Sequence, residues 1–253
     1  MKIAVSGKGG VGKTTFSAEL IKFFARNNYT VYAVDADPDL SLGTLLDFPE
    51  EQINNLTPIC DMREDLLATT GEGAFYSLNP EVDELLNRFV LEKDNIKFLK
   101  MGALKSGGTA CYCRENSVLR AVISKLLLDK KEVVIIDMGA GIEHLTRGTS
   151  SGVDIMFIVT EPTKVSAQSA KVIAKLANDL GIKNIQFIGN KVHSNADYNF
   201  LKQNFPENLA LAIEYEEEIL LEARGEAVKN KKLTEAVESL GNTLKGREEA
   251  QLK

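Results

Sequence analysis

Cysteine is scarce in this 253-residue chain: Cys60, Cys111 and Cys113 are its only thiols. That excludes a fold stapled by a disulfide framework. Stability has to come from a buried core, and a chain of this length with 44% hydrophobic residues can build one large α/β domain. Long hydrophobic runs are absent as well. None approaches the roughly 20 residues that cross a bilayer. The first residues, MKIAVSGKGG, run straight into a strand and a glycine loop, with no signal-peptide core followed by a small-residue cleavage site. These absences predict a cytoplasmic protein with no membrane partner. Basic residues are not in excess either. A net charge of −6 speaks against a broad nucleic-acid-binding surface. No internal repeat, low-complexity linker or domain boundary interrupts residues 1–253, which read as a single domain.

What is present is an alternation of short apolar runs and helix-period segments. Lys2–Ser6, Val31–Asp35, Ile96–Met101, Val133–Asp137, Ile155–Val159, Ile185–Gly189 and Leu209–Ile213 read as strands. Thr14–Arg26 repeats apolar residues at helical spacing through Phe16, Leu20, Phe23 and Phe24. Glu115–Asp129 and Val165–Leu180 read as further helices, the latter stopped by Gly181, and the tail from Glu216 is mostly helical and charged. Strands this uniformly apolar belong to a mostly parallel central sheet with helices on both faces. Phe48–Asn95 is polar and turn-rich, consistent with helices and loops over one end of the sheet.

Gly7-Lys8-Gly9-Gly10-Val11-Gly12-Lys13-Thr14 encloses four residues between two glycines and ends in Lys-Thr, the P-loop pattern of a P-loop NTPase. A strand precedes it and a helix follows. Glycines permit a tight turn whose backbone N–H groups converge on phosphate oxygens, and the helix adds its positive end. Gly9, Gly10, Val11 and Gly12 supply that loop. Lys13 is placed to neutralise the β- and γ-phosphates of ATP, Thr14 to ligate Mg²⁺, and Thr15 to reach the α-phosphate. Asp137 closes an apolar strand, where a Mg²⁺-holding carboxylate is expected. Asp35 ends the second strand and is expected to support Mg²⁺ or its water shell.

The GKGGVGKTT string resembles the deviant-Walker ATPases, among them nitrogenase iron protein, the septum-site and plasmid-partition ATPases and the arsenite-pump ATPases. The resemblance implies that Lys8 crosses a homodimer interface to the partner's nucleotide, adding charge stabilisation in catalysis. It implies that Asp37, in Asp35-Ala36-Asp37-Pro38, orients the attacking water. It makes Asp137-Met138-Gly139-Ala140-Gly141 a second switch, with the Gly139 N–H sensing the γ-phosphate. It assigns Asn190 and Lys191 to reading adenine. This chain departs from the family's Pro-containing turn near the last strand, having Ala212-Ile213-Glu214-Tyr215 there.

Cys111-Tyr112-Cys113 precedes a predicted helix and Arg114, both of which favour thiolate. Taken alone, the pair fits two packed thiols, a redox pair or half of a metal site. Two such pairs across a symmetric dimer make a four-sulfur set that suits Zn²⁺ or Ni²⁺. GKGGVGKTT, YAVDADPD, GGTACYCREN and DMGAGIEHLTRGT together resemble the CooC-type ATPases, which help insert nickel into carbon monoxide dehydrogenase, and the related acetyl-CoA synthase maturation factor. The likeness is weakest from Asn195 onward. It implies that Cys111 and Cys113 hold Ni²⁺ or Zn²⁺ between subunits, that apo carbon monoxide dehydrogenase or acetyl-CoA synthase is the client, and that Glu143 and His144 relay nucleotide state. Cys60 reads as structural. Two other functions fit parts of the sequence. A positioning ATPase would need a basic surface or a basic amphipathic C-terminal helix, but Lys229–Lys253 is mixed in charge. An iron–sulfur electron-transfer ATPase uses widely separated cysteines rather than a close pair.

Overall fold

Strand β1 (Lys2–Gly7) is buried from Ile3 onward and runs through the middle of an eight-stranded sheet. The computed structural model describes residues 1–37, 41–59, 89–101, 131–140, 153–223, 226, 228 and 230–251. After β1 come α1 (Lys13–Arg26), β2 (Thr30–Ala36), α2 (Ser41–Leu45), α3 (Glu50–Asn55), β3 (Leu91–Lys93), β4 (Ile96–Lys100) and β5 (Glu132–Met138). Then follow β6 (Ile155–Thr160), α4 (Lys164–Asp179), β7 (Ile185–Val192), α5 (Asn195–Asn204), β8 (Leu209–Glu214), α6 (Glu218–Ala223) and α7 (Lys231–Gln251).

The strand order is β3-β4-β2-β5-β1-β6-β7-β8, and every pairing is parallel except β3 with β4. The chain builds outward from β1 first on one side and later on the other. That reversal opens a crevice beyond the carboxyl ends of the central strands, where ligands of open α/β sheets bind.

Alternate side chains of each strand enter opposite layers. Ile3 and Val5 join Phe16, Leu20, Phe23 and Phe24 of α1 and Leu233, Val237 and Leu244 of α7. Ala4, Val134 and Ile136 meet Ala167, Ala170 and Ala177 of α4 and Leu201 of α5. Full burial of a side chain such as Phe16 contributes about 1.5–3 kcal/mol, and its ring meets Phe157 of β6 edge-on at 5.7 Å. Helix α7 lies so close to α1 that a Cβ on Gly241 would stand 2.2 Å from the Phe23 ring.

The seven expected strands and the helices from Thr14 and Val165 are present, with ends that differ from the expected ones by one to three residues: most strands run longer, while Ile96–Lys100 stops one residue short and the helix from Lys164 ends at Asp179. Gly181 ends the α4 region at φ +93°, as a C-terminal glycine should. Three features escape the apolar-run reading. Strand β3 has three residues and pairs antiparallel with β4 around Asp94, whose φ is +52°. Short helix α2 precedes the turn-rich stretch Phe48–Asn95 and was not anticipated, whereas α3 lies inside that stretch, where helices and loops were expected. Helix α5 has a single fully buried side chain, Leu201, and so no strong stripe. The expected helix Glu115–Asp129, the Cys60, Cys111 and Cys113 thiols, Pro38, Gly141, Glu143 and His144 lie outside the described residues. Among the described residues no helix is long and apolar enough to cross a membrane.

Candidate functional site

The glycine loop sits at the carboxyl end of β1. Gly7 must be glycine because a Cβ there would lie 2.3 Å from the Val159 carbonyl oxygen of neighbouring β6. Gly10 and Gly12 have φ of +78° and +93°, the left-handed region that other residues enter at a penalty. Gly12 is the N-cap of α1, and no side chain caps that terminus. The first-turn N–H groups, the helix dipole and Lys13 therefore face one spot, a ready anion site. Lys13 is buried, and its Nζ donates to the Lys8 carbonyl oxygen at 3.3 Å. Lys8 itself is exposed at the rim of the loop.

Beside this loop two carboxylates stand in register. Asp35 of β2 is the cross-strand partner of Asp137 of β5, and both are fully buried. Ser17 Oγ, one turn into α1, donates to Asp137 Oδ1 at 2.8 Å. The Thr14 hydroxyl stands beside the same carboxylate. Asp137 Oδ2 is buried and has no hydrogen-bond partner among the described residues. An orphaned carboxylate oxygen next to a threonine hydroxyl is the hard oxygen donor set that Mg²⁺ takes, so these residues fit that ion. The Asp35 oxygens are differently used. Oδ1 accepts from the Asp37 N–H at 3.2 Å and Oδ2 from the Leu42 N–H at 3.1 Å. Asp35 thus fastens the segment after β2, each of its oxygens accepting one backbone N–H. That segment brings the Asp37 carboxylate against Gly139, where a Cβ would lie 3.5 Å from Asp37 Oδ2.

Burial raises both acids. Asp35 is pushed up to about 7, first by desolvation and then by the Asp137 charge, against the pull of its two backbone donors. Asp137 is pushed up to about 6 by desolvation, opposed by the Thr14 and Ser17 hydroxyls and by the Lys13 charge. Both values lie above that of the unfolded chain, so the fold favours the protonated acids. Their contribution to stability is complete below the ordinary carboxylate pKa and is lost as pH rises through about 6 to 7. The ligand-free protein is therefore expected to melt higher at pH 5.5 than at pH 8, by on the order of 5 °C. Scanning calorimetry of the wild type and an Asp35→Asn/Asp137→Asn variant checks this. A higher melting temperature at pH 8, or an unchanged slope in the variant, contradicts it.

A cleft of about 200 Å³ opens on the far side of the loop. Gly10, Gly12, Thr15, Asn190, Lys191 and Tyr215 are among its lining residues. Asn190 and Lys191 line this cleft, and their donors are aimed at the loop. Asn190 Nδ2 donates to the Val11 carbonyl oxygen at 2.8 Å, and Lys191 Nζ to that of Gly10 at 2.8 Å. The Ala212–Tyr215 segment, which departs from the family turn, closes the cleft with Ile213, Glu214 and Tyr215. The structure therefore brings together Lys8, Gly9, Gly10, Val11, Gly12, Lys13, Thr14, Thr15, Asp35, Asp37, Asp137, Gly139, Asn190 and Lys191. Two residues of the site were not anticipated. Ser17 carries a readable signal, a small polar residue three positions after Thr14 on the same helix face. Glu161, which pairs with Lys191 at 2.5 Å, carries none.

Residues 2–232 match the CbiA family, the CobQ/CobB/MinD/ParA nucleotide binding domain. The chain is 42% identical over 205 residues to the carbon monoxide dehydrogenase accessory protein CooC of Rhodospirillum rubrum, covering 79% of this chain and 78% of that one. It is 41% identical over 229 residues to an uncharacterized ATP-binding protein of Methanocaldococcus jannaschii, covering 87% of each. Among solved structures, the septum site-determining protein MinD of Pyrococcus horikoshii, complexed with Mg-ADP, superposes with a TM-score of 0.68. That match has 20% identity and covers 98% of each chain, a likeness of fold. The chain belongs to the CobQ/CobB/MinD/ParA nucleotide-binding family and is a P-loop ATPase.

Proposed function

We propose that residues 1–253 form one Mg-ATP-dependent, dimeric ATPase domain that acts as a metallochaperone, delivering nickel to carbon monoxide dehydrogenase or acetyl-CoA synthase. The observation that carries this reading is the 42% identity to the Rhodospirillum rubrum accessory protein over most of both chains. The loop geometry supports its nucleotide half, and the Cys111/Cys113 pair its metal half.

In this reading the Gly9–Gly12 amides and Lys13 grip the β- and γ-phosphates, and Thr15 reaches the α-phosphate. Thr14 and Asp137 hold Mg²⁺, which when bound neutralises the phosphate oxygens. Asp35 acts through the loop it fastens, so its support of the metal site is indirect. Asp37, held against Gly139, orients the attacking water. Gly139 meets the γ-phosphate, so closure of the two segments depends on which nucleotide is bound. The base enters the cleft beside Asn190, Lys191 and Tyr215. Lys8, at the rim, reaches the nucleotide of a second copy. Cys111 and Cys113 of both copies hold the transported Ni²⁺, with Zn²⁺ as a competitor, and hydrolysis loosens that shared set.

Reconstitution tests the whole scheme. Nickel-loaded protein with MgATP is expected to activate apo carbon monoxide dehydrogenase or apo acetyl-CoA synthase. Omission of ATP should abolish transfer. Lys8→Ala should bind one nucleotide normally as a monomer yet lose dimerisation and about tenfold or more in turnover. Equal activation without ATP refutes the coupling, and wild-type dimerisation and turnover of Lys8→Ala refute the cross-dimer role.

A further inference from the structure

At the end of β7 two consecutive side chains bond two consecutive carbonyls of the glycine loop. Asn190 Nδ2 holds the Val11 oxygen and Lys191 Nζ the Gly10 oxygen, each at 2.8 Å. The fit is close, since a Cβ on Gly12 would lie 2.3 Å from Asn190 Nδ2. Lys191 reaches its position with φ +57°, a strained conformation for a lysine that the surrounding contacts must hold. Its ammonium also pairs with Glu161 Oε1 at 2.5 Å. Glu161 is fixed in turn at the start of α4. Its N–H donates to Ser166 Oγ at 3.0 Å, and Ser166 Oγ lies 3.0 Å from Thr160 Oγ1. The ends of β6 and β7 are thus tied to each other and to the loop.

A trans peptide unit is planar, with its C=O and N–H pointing opposite ways. The Gly10 oxygen shares a unit with the Val11 N–H, and the Val11 oxygen with the Gly12 N–H. Holding both oxygens toward β7 turns both N–H groups away from it. We infer that Lys191, braced by Glu161, is a positioning residue that with Asn190 sets the Val11 and Gly12 amides for phosphate, rather than a reader of the base. The inference rests on the nucleotide-site reading above and reassigns the work of Lys191 within it.

The probes are MgATP and magnesium tripolyphosphate, which has the phosphates without the nucleoside. They are titrated calorimetrically into the full chain and into Glu161→Gln, Lys191→Met, Lys191→Arg and the Glu161→Gln/Lys191→Met double variant. Lys191→Met should weaken both ligands by the same factor, about tenfold. Glu161→Gln should weaken both by about threefold, as expected of a partly exposed ion pair. The double variant should be no weaker than Lys191→Met, because both act through one contact. Lys191→Arg, which keeps the cation, should recover most of the loss. Without ligand, the amide ¹H–¹⁵N resonances of Val11 and Gly12 should shift in Lys191→Met while those of the central strands stay. Glu161→Gln carries the test should Lys191→Met fail to fold. A loss for MgATP alone makes Lys191 a base reader and overturns the inference. So does unchanged affinity for both ligands, or a wild type that binds MgATP but not tripolyphosphate. A wild type that binds neither overturns the nucleotide site itself.

Discussion

Lys13→Ala lowers ATP turnover by on the order of 10²–10³-fold and removes most of the affinity for MgATP. Lys13 is a cation almost wholly withdrawn from water whose one described hydrogen bond goes to the carbonyl of Lys8 in its own loop. A buried charge held by so weak a partner gains greatly from an arriving anion. Alanine deletes that gain and leaves the loop amides to hold the phosphates alone. The fold should survive, since Lys13 forms no ion pair among the described residues and the α1 core residues are untouched. The variant also loses the lysine charge that moderates Asp137, so ionising that acid becomes harder. Steady-state turnover and calorimetric MgATP binding measure the effect. A rate within threefold of wild type would remove Lys13 from the catalytic centre.

If the proposed metal role holds, replacing both Cys111 and Cys113 with serine is expected to abolish nickel and zinc binding while leaving MgATP binding by the monomer intact. Thiolate is a soft donor that binds these ions tightly, whereas a serine hydroxyl stays protonated and neutral near neutral pH. Each copy offers a close pair, and a closed tetrahedral site needs four donors. The metal affinity should therefore rise with nucleotide-driven dimerisation in the wild type and show no such dependence in the variant. Anaerobic titration with and without ATP reads both effects. Undiminished nickel binding in the variant sinks the metal half of the proposed function. Iron and acid-labile sulfide in anaerobically purified wild type would point instead to a cluster-bearing ATPase.

Most of the sheet was legible because burial on both faces removes the need for polar alternation. Glu132–Met138 and Ile155–Thr160 are buried almost throughout and read as strands without ambiguity. Strand β3 was not legible, because three residues hold too few side chains to show a period. Helix α5 showed no stripe and was not anticipated, although its start carries a cap in which Ser194 accepts from the Asp197 N–H and Asp197 accepts from the His193 N–H. A serine followed three residues later by an acid is the signal for such a helix start. The glycine loop was legible in full, since its spacing and its chemistry coincide. The bond from Lys191 to Gly10 was not, because it spans 181 residues and depends on the packing of β7 beside the loop. Asp35 shows the same limit. Its type and place at a strand end suggested a metal site, while its two backbone partners emerge only from the path of the chain after β2.

The near-contact of Gly241 with Phe23 restricts how this molecule can signal. The first helix is packed between the sheet and the last helix, so tilting it would have to displace the last helix with it. The C-terminal helix thus backs the helix that carries Lys13 and Thr14, and loosening it is expected to blur the phosphate site even with every phosphate-binding group in place.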